Sequence, residues 1–402
     1  MKVMEGIRVI EVAEWTFVPA AATVLGDWGA DVIKVEHPGR GDGIRGLISS
    51  GLIPGVQGAN FFVEQQFRNK RSAGIDISTD AGRELLYRLV ETADVFLTSM
   101  LPDARERFGI TGADIRRVNP RCIYARGSGY GPKGPDAHRG GYDGLSFWMR
   151  GGVADVMTTP GEPFVMQRAA FGDFTGGMFI AGGIAGALFH RERTGEARSV
   201  DVSLLGEACW MLSADMVASM TYGFELPKGR MLGAPNPMVA TYLCADQKHL
   251  QLMMLQADKF WPTLIAALER PELAHDERFA TSEKRRENAA LLQAEFARHF
   301  ATQPRDHWRS RLNATDCIWG PVQSPLEVVA DPQVEANRYV VPYDHPQFGP
   351  LRVTSSPVQF AEEPIEVRRV APEIGANTEE ILLELGCDWE QIGAWKETGV
   401  IS

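Results

Sequence analysis

Apolar runs alternate with amphipathic stretches through the first part of the chain. Residues 7–13 (IRVIEVA) predict a buried strand, 20–28 a helix and 31–36 (DVIKVE) a second strand. Residues 71–77 (RSAGIDI) predict a third strand, and 79–93 carry helical periodicity behind a Thr or Asp cap. Further strands are predicted at 94–98 (DVFLT) and 122–126 (CIYAR). Strand–helix–strand order at this spacing predicts an α/β protein with a parallel sheet and helices on its faces.

The alternation stops at 127–141 (GSGYGPKGPDAHRGG), a loop long enough to be functional. Helices are predicted at 142–149, from 173 to about 192 and from 204 to about 222, with a short strand at 199–202. Turn residues gather at 223–237, which reads as a linker after a first unit, 1–222. Residues 238–325 read as a smaller α+β unit that includes a helix over 282–300. Residues 326–402 return to the first unit and end in a helix over 378–385.

At 402 residues the chain is long for one domain, and its 44% apolar content supplies a full core. A net charge of −11 repels phosphate backbones and argues against nucleic-acid partners. The five cysteines are dispersed without a CxxC pair, which fits neither a zinc ribbon nor a disulfide scaffold. The N-terminus carries Glu5 and Glu11 and lacks the pattern of a signal peptide. The longest apolar stretch, 178–190, is short for a membrane span. These features predict a soluble, cytoplasmic protein with no membrane partner.

Glu36 closes the second strand as an acidic residue does in dinucleotide-binding folds. After the first strand, however, the sequence is Glu14-Trp15-Thr16-Phe17-Val18-Pro19, bulky where a pyrophosphate loop needs glycine. No GxxxxGK[ST], HExxH or GxSxG pattern is present. The segment Phe171-Gly172-Asp173-Phe174-Thr175-Gly176-Gly177 supports two readings that are compatible. Asp173 is an N-cap for the helix that follows, or it is a nucleophile beside glycines that admit a bulky substrate. On the second reading the helix dipole keeps the carboxylate ionised and neighbouring N–H groups hold an oxyanion. Basic residues at Asn69-Lys70-Arg71, Arg105, Arg107, Lys133 and Arg139 form either a solvated face or the surroundings of an anionic cofactor at the strand C-terminal edge. Eleven of the 14 methionines lie between Met149 and Met254, as core filler or as an adaptable acyl pocket.

Several motifs occur in order: MEGIRVIEV, LGDWGADVIKVEHPGRGD, NKRSAGID, ADVFLTSMLPDARERFGI, NPRCIYARGSGYGPKGP, GGYDG, FGDFTGG and GALFHRERTGEARSVDVSLLGEA. On these the chain resembles the family III coenzyme A transferases, which include formyl-CoA transferase and carnitine CoA-transferase. The resemblance runs from about residue 4 to the end and is strongest over the first 205 residues. It implies a Rossmann-like large domain built from both chain ends, a small α+β domain and an interlocked homodimer. It also implies no permanently bound cofactor and no metal, with acyl-CoA and a free carboxylic acid as substrates. Asp173 of the Gly172-Asp173 pair would be the nucleophile, passing through an aspartyl mixed anhydride and an aspartyl-CoA thioester. By similarity, Trp15, Thr16, His37, Ile75, Ser99, Ala104, Arg107 and Phe108 contact CoA, with Arg139 beside the glycine-rich loop, and Tyr142 lines the reacting centre.

Three departures stand out. His37-Pro38 replaces a common arginine, Ser99 replaces a common asparagine, and residues 223–260 hold no glycine-rich lid, which argues against a formyl/oxalyl substrate pair. α-Methylacyl-CoA racemases share the fold but use His in a GHD motif, which here reads Gly141-Tyr142-Asp143, with His138 earlier in the loop. A tyrosine is a poor proton acceptor at neutral pH, so transferase precedes racemase. A non-catalytic CoA-binding protein is the third reading.

Overall fold

The computed structural model describes residues 2–51, 59–228 and 236–402. The first apolar run forms β1 (Arg8–Val12), followed by α1 (Phe17–Asp27), every residue of which is buried, and β2 (Asp31–Glu36). Next come α2 (Phe61–Phe67), β3 (Lys70–Gly74), α3 (Asp80–Glu91) and β4 (Val95–Thr98). α4 (Pro102–Phe108) and α5 (Gly112–Val118) lead to β5 (Ile123–Ser128). A π-helical turn (Gly144–Met149) and α6 (Val153–Met157) precede the long α7 (Phe171–Thr194), then β6 (Val200–Ser203), α8 (Leu204–Met211) and α9 (Ser213–Tyr222).

The six strands pair in parallel in the order β3-β2-β1-β4-β5-β6, with Val9 opposite Val32 on one side and Val95 on the other. Successive side chains point to opposite faces, so each strand feeds two cores. Val9, Val32, Leu97 and Ile123 pack with Val18 and Leu25 of α1 and Ile180 and Ile184 of α7. Ile10, Ile33, Phe96 and Tyr124 pack with Leu85, Leu86 and Leu89 of α3.

The chain divides into two units. The first holds Met1–Thr158, Glu162–Leu226 and Gln333–Ser402. The second holds Thr159–Gly161 and Pro227–Pro332. The second contains β7 (Thr241–Leu243), β8 (His249–Leu252), α10 (Ala257–Ala267), α11 (Ser282–Glu287), α12 (Ala289–Phe300), α13 (Arg305–Asn313), β9 (Trp319–Pro321) and α14 (Pro325–Val328). Its antiparallel sheet backs a core of Tyr242, Phe296, Phe300 and Trp308. After α15 (Pro332–Ala336), the hairpin β10 (Val340–His345) and β11 (Gly349–Thr354), then α16 (Thr378–Glu384) and α17 (Trp389–Glu397), belong to the first unit. The C-terminal residues join the sheet side directly: Ser402 N–H donates to Gly74 O, and Ile401 bridges Ile75.

Several extents differ from the sequence reading. The helix expected over 204–222 is two helices, because Leu212 leaves helical geometry (φ −96°, ψ 27°) as its side chain enters the core. The helix expected over 282–300 breaks similarly at Asn288. α7 starts ahead of Asp173 and runs 24 residues, long and apolar enough by length and composition to cross a membrane. Ile180, Ala181 and Ile184 are instead buried against α1 and the sheet. α17 follows the helix taken as last, opened by a capping box between Asp388 and Gln391. Part of the segment expected to lack a lid, residues 229–235, lies outside the described residues.

Candidate active site

The strand order reverses between β1 and β4, and in open parallel sheets ligands settle outside the strand C-termini at such a switch point. Two adjoining cavities lie there. One, of about 360 Å³, is lined by Val12, Glu36, His37, Arg40, Ile75, Asp76 and Phe108 among others. The second, of about 510 Å³, is lined by Trp15, Ser99, Ala104, Arg105, Arg126, the glycines of the 127–141 loop, Tyr142 and Asp173 among others. Glu14 and Met100 line both, so they form one groove along the sheet edge.

The loop after β1 enters the groove without glycine. Trp15 adopts φ +70°, the left-handed region that ordinary side chains avoid, and is held there by Asp42 Oδ1, which accepts its N–H at 2.9 Å. Ser99 Oγ accepts the N–H of Glu14 at 3.1 Å, tying the exits of β1 and β4 together. The Trp15 ring meets Tyr142 edge-on, with centroids 5.7 Å apart. Thr16 lies behind this wall, its Oγ1 accepting from Gln66 Nε2.

Asp173 is half-buried and stands at the third position of α7, not at the N-cap. That cap is Ala170, itself at φ +62° with no side-chain cap. The orphan donors of the first turn are met from across the chain. Asp143 Oδ2 accepts the N–H groups of Gly172 (3.1 Å) and Asp173 (3.3 Å). These two N–H groups are therefore committed to Asp143 and do not serve as the neighbouring donors expected to hold an oxyanion. The expectation that the helix dipole keeps Asp173 ionised is overturned. Burial, followed by the negative charge of Asp143, pushes Asp173 up to about 8.

A third carboxyl completes the cluster. Glu207 of α8 is 3% exposed, neither of its oxygens has a hydrogen-bond partner, and burial with the charges of Asp173 and Asp143 pushes it up to about 8. Sequence reading did not single it out, although an acid inside the otherwise apolar LLGEACWM was a visible signal. Among the described residues no Lys, Arg or His forms an ion pair with any of the three.

Of the residues expected at the site, Trp15, His37, Ile75, Ser99, Ala104, Phe108, Tyr142 and Asp173 line the groove. Thr16, Gly172, Arg107 and Arg139 are not among the lining residues. Arg107 lies over the Phe108 ring at 4.7 Å, and Arg139 pairs with Asp136 at 3.1 Å. Arg105 takes the inward position on α4 instead. The Asn69-Lys70-Arg71 cluster opens β3, at the end of the sheet opposite the groove. Lys70 binds Glu11, and Arg71 binds Asp31 and Glu384, so these cations are structural. His138 lines the second cavity and contacts Asp103 at 3.1 Å. Among the described residues no group of His, Cys, Asp or Glu is arranged to hold a metal ion.

A Rossmann-ordered sheet with a long groove at its switch point, closed at one end by a half-buried carboxylate, makes this an α/β protein built to hold an extended ligand. The chain belongs to CoA-transferase family III, whose model matches residues 4–378, and it is a CoA-transferase. It is 31% identical to (R)-2-hydroxy-4-methylpentanoate CoA-transferase of Clostridioides difficile, over 99% of each chain. It is 30% identical to cinnamoyl-CoA:phenyllactate CoA-transferase of Clostridium sporogenes, over 96% of this chain and 94% of that one. A crystal structure of a CaiB/BaiF family protein from Brucella suis matches with a TM-score of 0.82 at 28% identity, over 96% of this chain and 99% of that one.

Proposed function

We propose that this enzyme moves CoA between carboxylic acids with Asp173 as the covalent nucleophile. The observation that carries the reading is an acidic side chain at the groove end with no cation among the described residues to neutralise it. An Asp173 oxygen attacks the acyl carbonyl carbon. A C–O bond forms, the C–S bond breaks, and CoA leaves as thiolate with that electron pair. The thiolate then attacks the aspartyl carbonyl of the mixed anhydride, releasing the donor acid as carboxylate and leaving an aspartyl-CoA thioester. The acceptor carboxylate repeats the sequence in reverse, restoring Asp173. With Asp173 raised to about 8 by burial and by Asp143, the reactive carboxylate is the minority form at neutral pH.

The nucleotide end of CoA occupies the cavity bearing His37, Arg40 and Ile75, and the pantetheine passes Glu14 and Met100 towards Asp173. Ser99, Ala104 and Trp15 form the walls of that path; Arg107 and Arg139 bind from its rim. Tyr142 and the glycine loop face the reacting carbonyl. Trp15, Phe17, Leu101 and Leu204 suit a branched or aromatic acyl group, in keeping with the acids named in the two clostridial relatives. No resident cofactor or metal is required. The enzyme works in the cytoplasm as an interlocked homodimer. Trp210, Met220, Tyr222 and Phe189 are more than half exposed, and α9 buries none of its residues, which fits a surface covered by a second copy.

A panel of acyl-CoA donors with one fixed acceptor tests the substrate class. Branched and aromatic acyl groups should transfer faster than formyl, and a formyl or oxalyl preference contradicts it. The racemase reading keeps one observation in its favour, His138 on the same cavity wall. α-Hydrogen exchange into deuterated water without an adduct would establish it.

A further inference from the structure

We infer that Glu207 is a positioning residue of this site: a buried acid that keeps its proton while Asp173 is charged, and so limits the negative charge around the reacting carbonyl. The inference rests on Asp173 being the nucleophile proposed above. Glu207 is held against the turn of α7 that follows Asp173. Gly176 has no side chain there, and a Cβ on it would overlap both Glu207 Oε2 and the Phe17 ring. The carboxyl is sealed from water, with no hydrogen-bond partner on either oxygen. The titratable groups facing it are Asp173 from α7 and Asp143 from ahead of the π-helical turn, both acids whose charged forms raise it further. Other charges on elements packed against α8 are Asp201 of β6, ion-paired to Arg126, Arg150 after the π-helical turn, ion-paired to Asp136, and Asp215 of α9. The last turns of α7 add His190, Arg191, Glu192 and Arg193, of which Arg191 pairs with Asp94. None of these contributes to its shift. A carboxylate in such surroundings is unstable beside a second one, so the cluster gives up one proton more readily than two. Asp173 must lose its proton to attack, and Glu207 is the group that retains one. No proton moves during acyl transfer itself: Asp173 gains the acyl group, sulfur leaves with the C–S electron pair, and Glu207 stays neutral throughout. Ionisation of Glu207 at higher pH adds charge where the tetrahedral intermediate is already negative, and the rate falls.

The test is the pH profile of CoA transfer in the full-length enzyme and two variants. The wild type should rise as Asp173 ionises, pass a maximum, and fall by about tenfold per pH unit on the alkaline side. Glu207→Gln, neutral at every pH, should keep the rise and lose the fall. Glu207→Asp, still titratable, should keep both. Three profiles of one shape, with the alkaline fall intact in Glu207→Gln, would overturn the inference. Infrared difference spectroscopy supplies a measurement independent of turnover. Asp173→Asn should still show the C=O band of a buried carboxylic acid at pH 6.5, and its absence also overturns the inference. Hydroxylamine trapping on the wild type separates the two levels. No trapped aspartyl adduct refutes the nucleophile, whereas an adduct with an unchanged Glu207→Gln profile refutes only the role of Glu207.

Discussion

Two acidic clusters are buried at the same edge of the sheet and behave in opposite ways. Beneath the loop after β1, Glu11, Glu36 and Asp42 are each matched by a cation. Lys34 Nζ lies 2.8 Å from both Glu11 and Asp42, Lys70 Nζ lies 2.7 Å from Glu11, and Arg45 grips Glu36 with two nitrogens. Beside α7, Asp143, Asp173 and Glu207 share, among the described residues, only two backbone N–H groups. Burial pushes Glu36 up as it does the others, but Arg45, Lys34 and Ser72 outweigh it and hold Glu36 at about 2. Asp173 and Glu207, with no such partner, sit near 8. The comparison teaches that burial alone does not mark a reactive acid; burial without compensation does. The paired cluster is scaffold, holding Trp15 through Asp42, whereas the unpaired one is where the proposed chemistry lies.

The largest effect expected is on Asp173. Asp173→Asn should cut CoA transfer at least about 10³-fold. It should also alter stability with a sign that follows from linkage. A carboxyl whose folded pKa is raised binds its proton more tightly when folded, so its share of stability is present below the unfolded pKa near 4 and is lost as pH rises through about 8. The wild-type Tm should therefore fall between pH 5.5 and 8.5 by more than that of Asp173→Asn. Equal slopes in the two proteins would deny that Asp173 is an uncompensated acid.

Next in size is damage to the paired cluster. Lys34→Met leaves Glu11 and Asp42 buried without their shared cation and should cost about 3–5 kcal/mol in urea unfolding. A loss under 1 kcal/mol would mean that the network is not what holds the β1 loop. A smaller effect is expected at Asp143. Asp143→Asn removes the charge that raises Asp173 while leaving an oxygen for the two N–H groups. The acid limb of the rate profile should move to lower pH, and an unmoved limb contradicts the electrostatic assignment. Smallest is Arg107→Ala, which should weaken CoA binding only a few-fold, because Arg107 lies over the Phe108 ring and does not line the groove itself. A hundredfold loss in CoA affinity would place it in direct contact with a phosphate.

The parallel sheet was legible because IRVIEVA and DVIKVE are short and rich in Val and Ile, although charged residues such as Glu11 and Lys34 interrupt both. Asp173 was legible from its glycine-flanked motif. The partner that caps α7 was not, since Asp143 lies 30 residues away from Asp173 and backbone-to-carboxylate bonds leave no periodic trace. The helix dipole is a local effect visible in sequence, but the pKa of Asp173 is decided by burial and by Asp143, which only the fold brings together. The same lack of direction misplaced Asn69-Lys70-Arg71: a strand's N-terminal and C-terminal ends look alike until its pairing is known, and here the cations open β3. The break at Leu212 was hidden because apolar residues on both sides continue one helical pattern.

The central claim is tested most directly by mass spectrometry of the intact enzyme after brief incubation with an acyl-CoA and quenching with hydroxylamine. The account predicts a hydroxamate that peptide mapping places on Asp173 and that Asp173→Asn does not form. Efficient turnover with an unmodified Asp173, or an adduct mapped to another side chain, would contradict it.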